Sequence, residues 1–314
     1  MNNIIDRINK LKAERGAIIL AHNYQRPEIQ DIADYLGDSL DLAKAAAKST
    51  AKVIVFCGVN FMAETAAILC PGKAADSPAL MRGKTVIMPD DRAGCPMANM
   101  ITVRELRELK KQHPDALVVT YVNSSVAIKA ESDYCCTSSN AVRVVQSLPK
   151  DKPVIFIPDQ HLGNYVQTQT HRQMILWRGY CPTHQRILAS DIKSRKAQYP
   201  KALVVVHPEC STEVVDMADK VASTSGILEF CRTSSDKEFI IGTEIGILHR
   251  LRKENPGKVF IEASVLADCP NMKLNTLEKV LWSLEDMAYK VTVPDDIARP
   301  ALRAINRMLS FTTP

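Results

Sequence analysis

The chain has 314 residues, 46% of them hydrophobic, enough to bury a large core in two or three compact units. Its net charge of +5 comes from 40 Lys/Arg interleaved with 35 Asp/Glu, with no run of like charge, which argues against a nucleic-acid-binding face. No stretch approaches the ~18 consecutive apolar residues of a membrane span, and "MNNIIDRINKLKAERG" lacks a signal-peptide core, so a cytoplasmic protein is expected.

In chain order, Ile4, Ile5, Ile8 and Leu11 recur at helical spacing and place a helix at the N-terminus. Short apolar, β-rich runs follow: "AIILAHN" (17–23), "KVIVFCG" (52–58), "KTVIMPD" (84–90), "ALVVTYV" (116–122), "PVIFIPD" (153–159), "ALVVVHP" (202–208), "EFIIGTE" (238–244) and "KVFIEAS" (258–264). Between them stand the amphipathic segments "SLDLAKAAAK", "FMAETAAIL", "TVRELRELKKQ", "SSNAVRVVQSL" and "IGILHRLRKE". Several strands are apolar throughout rather than alternating, as in a parallel sheet covered by helices on both faces. The class is α/β.

The order of elements repeats. Three strands end in a polar residue capable of proton chemistry, His22, Tyr121 and His207, and seventeen residues after each comes a hydroxyl, Ser39, Ser138 and Thr224. Each hydroxyl is read as opening a helix that leads to the next strand. Strand C-termini and helix N-termini meet at the sheet edge where α/β proteins bind ligands, and free helix N–H groups suit carboxylate or phosphate. Any one hydroxyl alone would read as an N-cap; three at one spacing point to a site.

Nine cysteines in a reducing compartment are not expected to form disulfides. Cys95, Cys181 and Cys269 each precede a proline, and 86 and 88 residues separate them (95 to 181, 181 to 269). Cys70 also precedes proline but reads as a helix terminus. Cys57 reads as core, the adjacent Cys135 and Cys136 as packing, and Cys210 and Cys231 match nothing in the other repeats. Three thiols from three distant segments suit a metal centre with one coordination position open, such as an iron–sulfur cluster. Three unconnected turn cysteines is the alternative.

With these residues in hand, the chain resembles the quinolinate synthase family. The resemblance rests on "LAHNYQ" (20–25), "GDSL" (37–40), "FMAETA" (61–66), "GCPMA" (94–98), "YVN" (121–123), "CTSSNA" (136–141), "PDQHLG" (158–163), "GYCPTH" (179–184), "HPEC" (207–210), "STSG" (223–226), "IIGTE" (240–244) and "NMKLN" (271–275), in order along most of the chain. It implies three homologous α/β/α sandwich domains about a pseudo-threefold axis, taken here as 1–100, 101–190 and 191–314, with C-terminal helices that could return to the first. It implies a [4Fe–4S] cluster held by Cys95, Cys181 and Cys269. It also implies condensation of iminoaspartate (iminosuccinate) with dihydroxyacetone phosphate to quinolinate, a precursor of NAD. Some family members carry C-x-x-C-x-x-C at the third position; this chain has Cys269 alone, so a thiol–disulfide switch there is not expected.

By the same resemblance, substrate contacts fall on His22, Ser39, Tyr121, Asn123, Ser138, His207, Glu209 and Thr224. Both substrates are anions, and the two histidines are expected to add donors, cationic if protonated. The candidate general base is Glu209, with His207 on the same loop; Tyr24 and Tyr121 are candidate acid/base partners, although Tyr24 equally suits packing. Glu64, His161 and Glu244 either orient ligands or cap and pair locally. The expected partners are the two small anions and an L-aspartate oxidase or dehydrogenase that supplies the imine, with no nucleic acid and no membrane. The rival functions are another open-iron hydro-lyase and a metal-free module that binds phosphorylated metabolites.

Overall fold

The structure is a computed structural model, and it describes residues 2–69 and 84–311. Cys70 therefore lies outside the described residues. Three runs of chain each build one four-stranded parallel sheet. The first contains α1 (Asn2–Arg15), β1 (Ala17–His22), α2 (Pro27–Ile32), β2 (Tyr35–Gly37), α3 (Ser39–Lys48), β3 (Val53–Cys57), α4 (Asn60–Leu69) and β4 (Thr85–Ile87). The second contains α5 (Val103–Gln112), β5 (Leu117–Tyr121), α6 (Val126–Ala130), β6 (Tyr134–Cys136), α7 (Ala141–Ser147), β7 (Val154–Ile157), α8 (Gln160–Thr170) and β8 (Ile175–Leu176). The third contains α9 (Pro182–Gln185), α10 (Ala189–Gln198), β9 (Leu203–Val206), α11 (Thr212–Val215), β10 (Lys220–Val221), α12 (Thr224–Thr233), β11 (Glu238–Gly242), α13 (Ile247–Glu254) and β12 (Val259–Glu262), followed by α14 (Leu277–Asp286) and α15 (Asp295–Ser310).

All three sheets have one strand order: β2-β1-β3-β4, β6-β5-β7-β8 and β10-β9-β11-β12. Every central strand buries both faces, and the period of two along it decides which core each side chain enters. In β3, Ile54 and Phe56 join a core shared by all three units, whereas Val53, Val55 and Cys57 pack under α1 and α14. Likewise Phe156 and Val205 face the shared core, whereas Ile155 and Val204 face cores of their own units. The α/β reading holds, and the sheets are sandwiched as the resemblance implied.

One device recurs in each sheet. Asp34 accepts from Ile19 N at 2.7 Å, Asp133 from Val118 N at 2.8 Å and Asp219 from Val204 N at 2.7 Å. Each aspartate also donates its own N–H back to the same residue's carbonyl, so carboxylate and amide together pin a short edge strand to the central one. The edge strands β2, β6, β8 and β10 are two or three residues long, too short to show as apolar runs.

Of the C-terminal helices, α14 packs on α1 and β3, while α15 lies chiefly along α6 and β6 and touches α4. Among the described residues no helix is long and apolar enough to cross a membrane.

Candidate active site

The C-terminal ends of the central strands point to one pocket between the three units. His22 and Tyr121 end β1 and β5, and His207 follows β9. All three line the pocket with Ser39, Ser138 and Thr224. Tyr24, Asn123 and Glu209 line it too, and so do Cys95, Cys181 and Cys269. Every candidate site residue of the sequence is therefore in one place.

The helix starts differ in detail from expectation. Asp38 caps α3 by accepting from Leu40 N and Asp41 N, and Ser223 caps α12 by accepting from Gly226 N. Ser39 and Thr224 are thus first helical residues with their hydroxyls released from capping. Ser138 does not open α7. Asn140 Oδ1 accepts from Thr137 N at 2.8 Å and closes a turn, so the helix begins only at Ala141. Ser138 sits in that turn, its hydroxyl 3.1 Å from His207 Nε2.

His22 and His207 share one arrangement. The N–H of Tyr24 donates to His22 Nδ1 at 3.2 Å, and that of Glu209 donates to His207 Nδ1 at 3.3 Å. An Nδ1 that accepts leaves the proton on Nε2. Burial lowers both imidazoles to about 3, with His207 and Lys273 contributing at His22, and His184 at His207. The two histidines are neutral donors at pH 7, not the cations the sequence allowed, because the pocket is too dry to support the charge.

Glu209 is buried and lies at the centre of the polar network. Burial raises its pKa, but the imidazoles of His184 and His207 and hydrogen bonds from His184 and Tyr121 outweigh that and hold it at about 2. His184 Nδ1 is 2.8 Å from Glu209 Oε2, and Asn123 Nδ2 donates to Oε1 at 3.4 Å. The Asn123 carbonyl oxygen is buried without a hydrogen-bond partner among the described residues. From Glu209 the chain of contacts continues outward: His184 Nε2 to Thr243 Oγ1 at 2.8 Å, Thr243 Oγ1 to Tyr24 Oη at 2.6 Å, and Tyr24 Oη to Thr224 Oγ1 at 2.9 Å. Tyr24 therefore packs its ring in the core and places its hydroxyl in a buried hydrogen-bonded chain. Sequence reasoning missed His184 and Thr243 even though both lie in quoted motifs; neither repeats in the other units.

The three cysteines share one local geometry. Each Cys-Pro opens a short helical turn, and the N–H three residues on, of Ala98, His184 or Met272, bonds the sulfur. The Cys269 sulfur also meets the Thr183 hydroxyl, two residues from Cys181. Burial pushes Cys95 up to about 12 and raises Cys181 and Cys269, and the backbone donors oppose it. Such thiols ionise when a metal compensates the charge. Cys181, His184 and Glu209 also place ligand atoms within 4.8 Å of one another. Within that group His184 Nε2 is bonded to Thr243, and its Nδ1 lies 2.8 Å from Glu209 Oε2. Cys57, Cys135 and Cys136 lie buried in strands, as packing requires.

Of the three groups with open roles, Glu64 accepts from Val126 N at the start of α6 (3.1 Å), and His161 bonds Gln185 of α9 (2.8 Å). Glu244 reaches the Cys269 loop.

Comparison with known proteins gives a family for the chain. The family model for quinolinate synthetase A protein matches residues 6–310. A protein of Dehalococcoides mccartyi named quinolinate synthase is 55% identical over 309 residues, 98% of each chain. Proteins of the same name from Geobacter metallireducens and Methanosarcina barkeri are 54% and 52% identical, each over 98% of this chain and 97% of their own.

Proposed function

Because the chain belongs to the quinolinate synthetase A protein family and is an enzyme of the quinolinate synthase kind in NAD biosynthesis, we propose that it condenses iminoaspartate with dihydroxyacetone phosphate, releasing one phosphate and two waters to give quinolinate. The observation that carries the reading is convergence. Three thiols from three units, three repeated hydroxyls and one buried carboxylate line a single pocket. Three sulfur donors, one from each unit, suit an open [4Fe–4S] cluster better than the four protein ligands of a closed structural zinc. Cys95, Cys181 and Cys269 would hold it. When bound, such a cluster supplies a Lewis acid for a substrate oxygen.

The chain's own groups do the rest. Ser39, Ser138 and Thr224 hydroxyls, with Nε2–H of His22 and His207, donate to substrate carboxylates and phosphate. Neutral donors hold a dianion without a buried counter-charge of their own. Asn123 offers both its carbonyl and its amide. Glu209 is ionised and takes protons from carbon and nitrogen in turn, and the Tyr121 phenol beside it donates. Tyr24 supplies a proton from the far end, restored through Thr243 and His184. Burial of these groups keeps water from the imine before ring closure. The imine hydrolyses readily, so we infer a nearby supplier, an L-aspartate oxidase or dehydrogenase, in the cytoplasm.

Quinolinate and inorganic phosphate are expected in equal amounts, and only when anaerobic, cluster-loaded protein receives both the imine and the triose phosphate. Turnover of a single hydroxy acid without triose phosphate would favour the hydro-lyase reading instead.

A further inference from the structure

Two buried carboxylates occupy matching places, two residues beyond the third strand in sequence of their units: Asp159 after β7 and Glu244 after β11. Both are wholly buried. Each turns toward the amide of a cysteine on the pocket. Cys269 N donates to Glu244 Oε1 at 3.0 Å, while Gly246 N donates to Oε2 at 2.7 Å and Lys273 Nζ lies 2.8 Å from Oε1. Asp159 Oδ1 takes the N–H groups of His161 and Leu162, both at 2.8 Å. The N–H of Cys181 faces the same carboxylate. Its Oδ2 is buried without a hydrogen-bond partner, and the Asp159 segment pairs with Gly179 in an isolated bridge two residues before the cysteine. In the first unit the matching residue after β3 is the apolar Val59. There the loop before Cys95 is tied by its carbonyl instead, with Asn60 N donating to Ala93 O at 2.8 Å.

A buried carboxylate kept in an apolar sheet end is costly unless its hydrogen bonds are made. Glu244 makes one to the amide of Cys269 itself, and Asp159, whose Oδ1 is taken by α8, has the Cys181 N–H facing it. We propose that Asp159 and Glu244 are positioning residues for the metal-binding thiols. They fix the Cys181 and Cys269 loops before metal arrives by turning a carboxylate oxygen to each cysteine amide, while the Cys95 loop is held by a backbone contact alone. Groups that orient ligands in this way are worth about 10- to 100-fold in metal affinity. The inference rests on the iron–sulfur reading above.

The test is the rate at which a ferrous chelator strips iron from reconstituted protein, together with the midpoint potential of the bound centre. Wild type stands beside Asp159→Asn, Glu244→Gln and Glu64→Gln; Glu64 is a carboxylate that caps α6 and touches no cysteine amide. Asp159→Asn and Glu244→Gln are expected to release iron about 10- to 100-fold faster and to shift the potential away from the wild-type value, whereas Glu64→Gln follows wild type. Asp159 also caps α8, so if its variant fails to fold, the Glu244→Gln arm decides. Iron release and potential equal to wild type in a folded Glu244→Gln would overturn the proposal. Wild type that binds no iron after reconstitution would overturn the cluster reading itself.

Discussion

Glu209→Gln is expected to lower kcat by about 10²- to 10⁴-fold, the usual worth of a positioned general base, while iron content stays at the wild-type level. Glutamine fills the same volume and keeps one carbonyl for the Tyr121 phenol or the Asn123 amide. It cannot accept a proton. Glu209 is the one pocket carboxylate engaged by side chains from several sides, with Tyr121, Asn123 and His184 all on it. By contrast, Asp38 is occupied as a helix cap and Glu244 by a backbone loop and Lys273. Turnover at the wild-type rate with the centre intact would remove Glu209 from the base role. The same substitution has a signature in stability. The folded carboxylate titrates at about 2 against an ordinary 4.5, so its stabilisation is complete above the ordinary value and is lost as pH falls through the folded one. Glu209→Gln should therefore lose less stability than wild type between those two values in an acid titration followed by circular dichroism.

Tyr24→Phe is expected to lower kcat by about 10²-fold or more by removing a general acid, with the fold retained. The ring is buried, and phenylalanine preserves its packing. The hydroxyl sits between Thr224 and Thr243 at hydrogen-bond distance from both, so its loss leaves two buried hydroxyls each short of a partner. That costs about 1–3 kcal/mol for a group left unsatisfied. A packing role would leave turnover within about twofold of wild type, because surface and volume barely change. Thr243→Val supplies the second reading: it cuts the contact between Tyr24 and His184 without touching either ring. If protons pass along the chain of contacts, this variant reproduces part of the Tyr24→Phe loss.

The central strands were legible because each is a run of four or more apolar residues, and α3 because Ser39 and the alanines after it mark its start and its course, although its cap proves to be Asp38. The pocket was legible through its repeat. A strand-end His, Tyr or His with a hydroxyl seventeen residues later is visible only when three copies are compared. The edge strands were not, since "YLG", "YCC", "IL" and "KV" carry too few residues for a period. Asp34, Asp133 and Asp219 look like ordinary loop aspartates until their partners in the neighbouring strand are seen. Ser138 misled because Asn140, two residues further on, closes a turn back onto Thr137 and holds the helix off until Ala141. His184 and Thr243 carry no local pattern; their roles arise from contacts between residues far apart in the chain. The neutral state of His22 and His207 follows from burial, which no short motif reports.

The central claim is that Cys95, Cys181 and Cys269 together hold one iron–sulfur cluster. It is tested most directly by iron and acid-labile sulfide content, with an absorption spectrum, on anaerobically purified protein beside Cys95→Ser, Cys181→Ser and Cys269→Ser. The account predicts about four irons and four sulfides per chain, with the charge-transfer absorption lost in each variant. Zinc in place of iron, or no metal even after reconstitution, would contradict it and return the three Cys-Pro turns to structure alone.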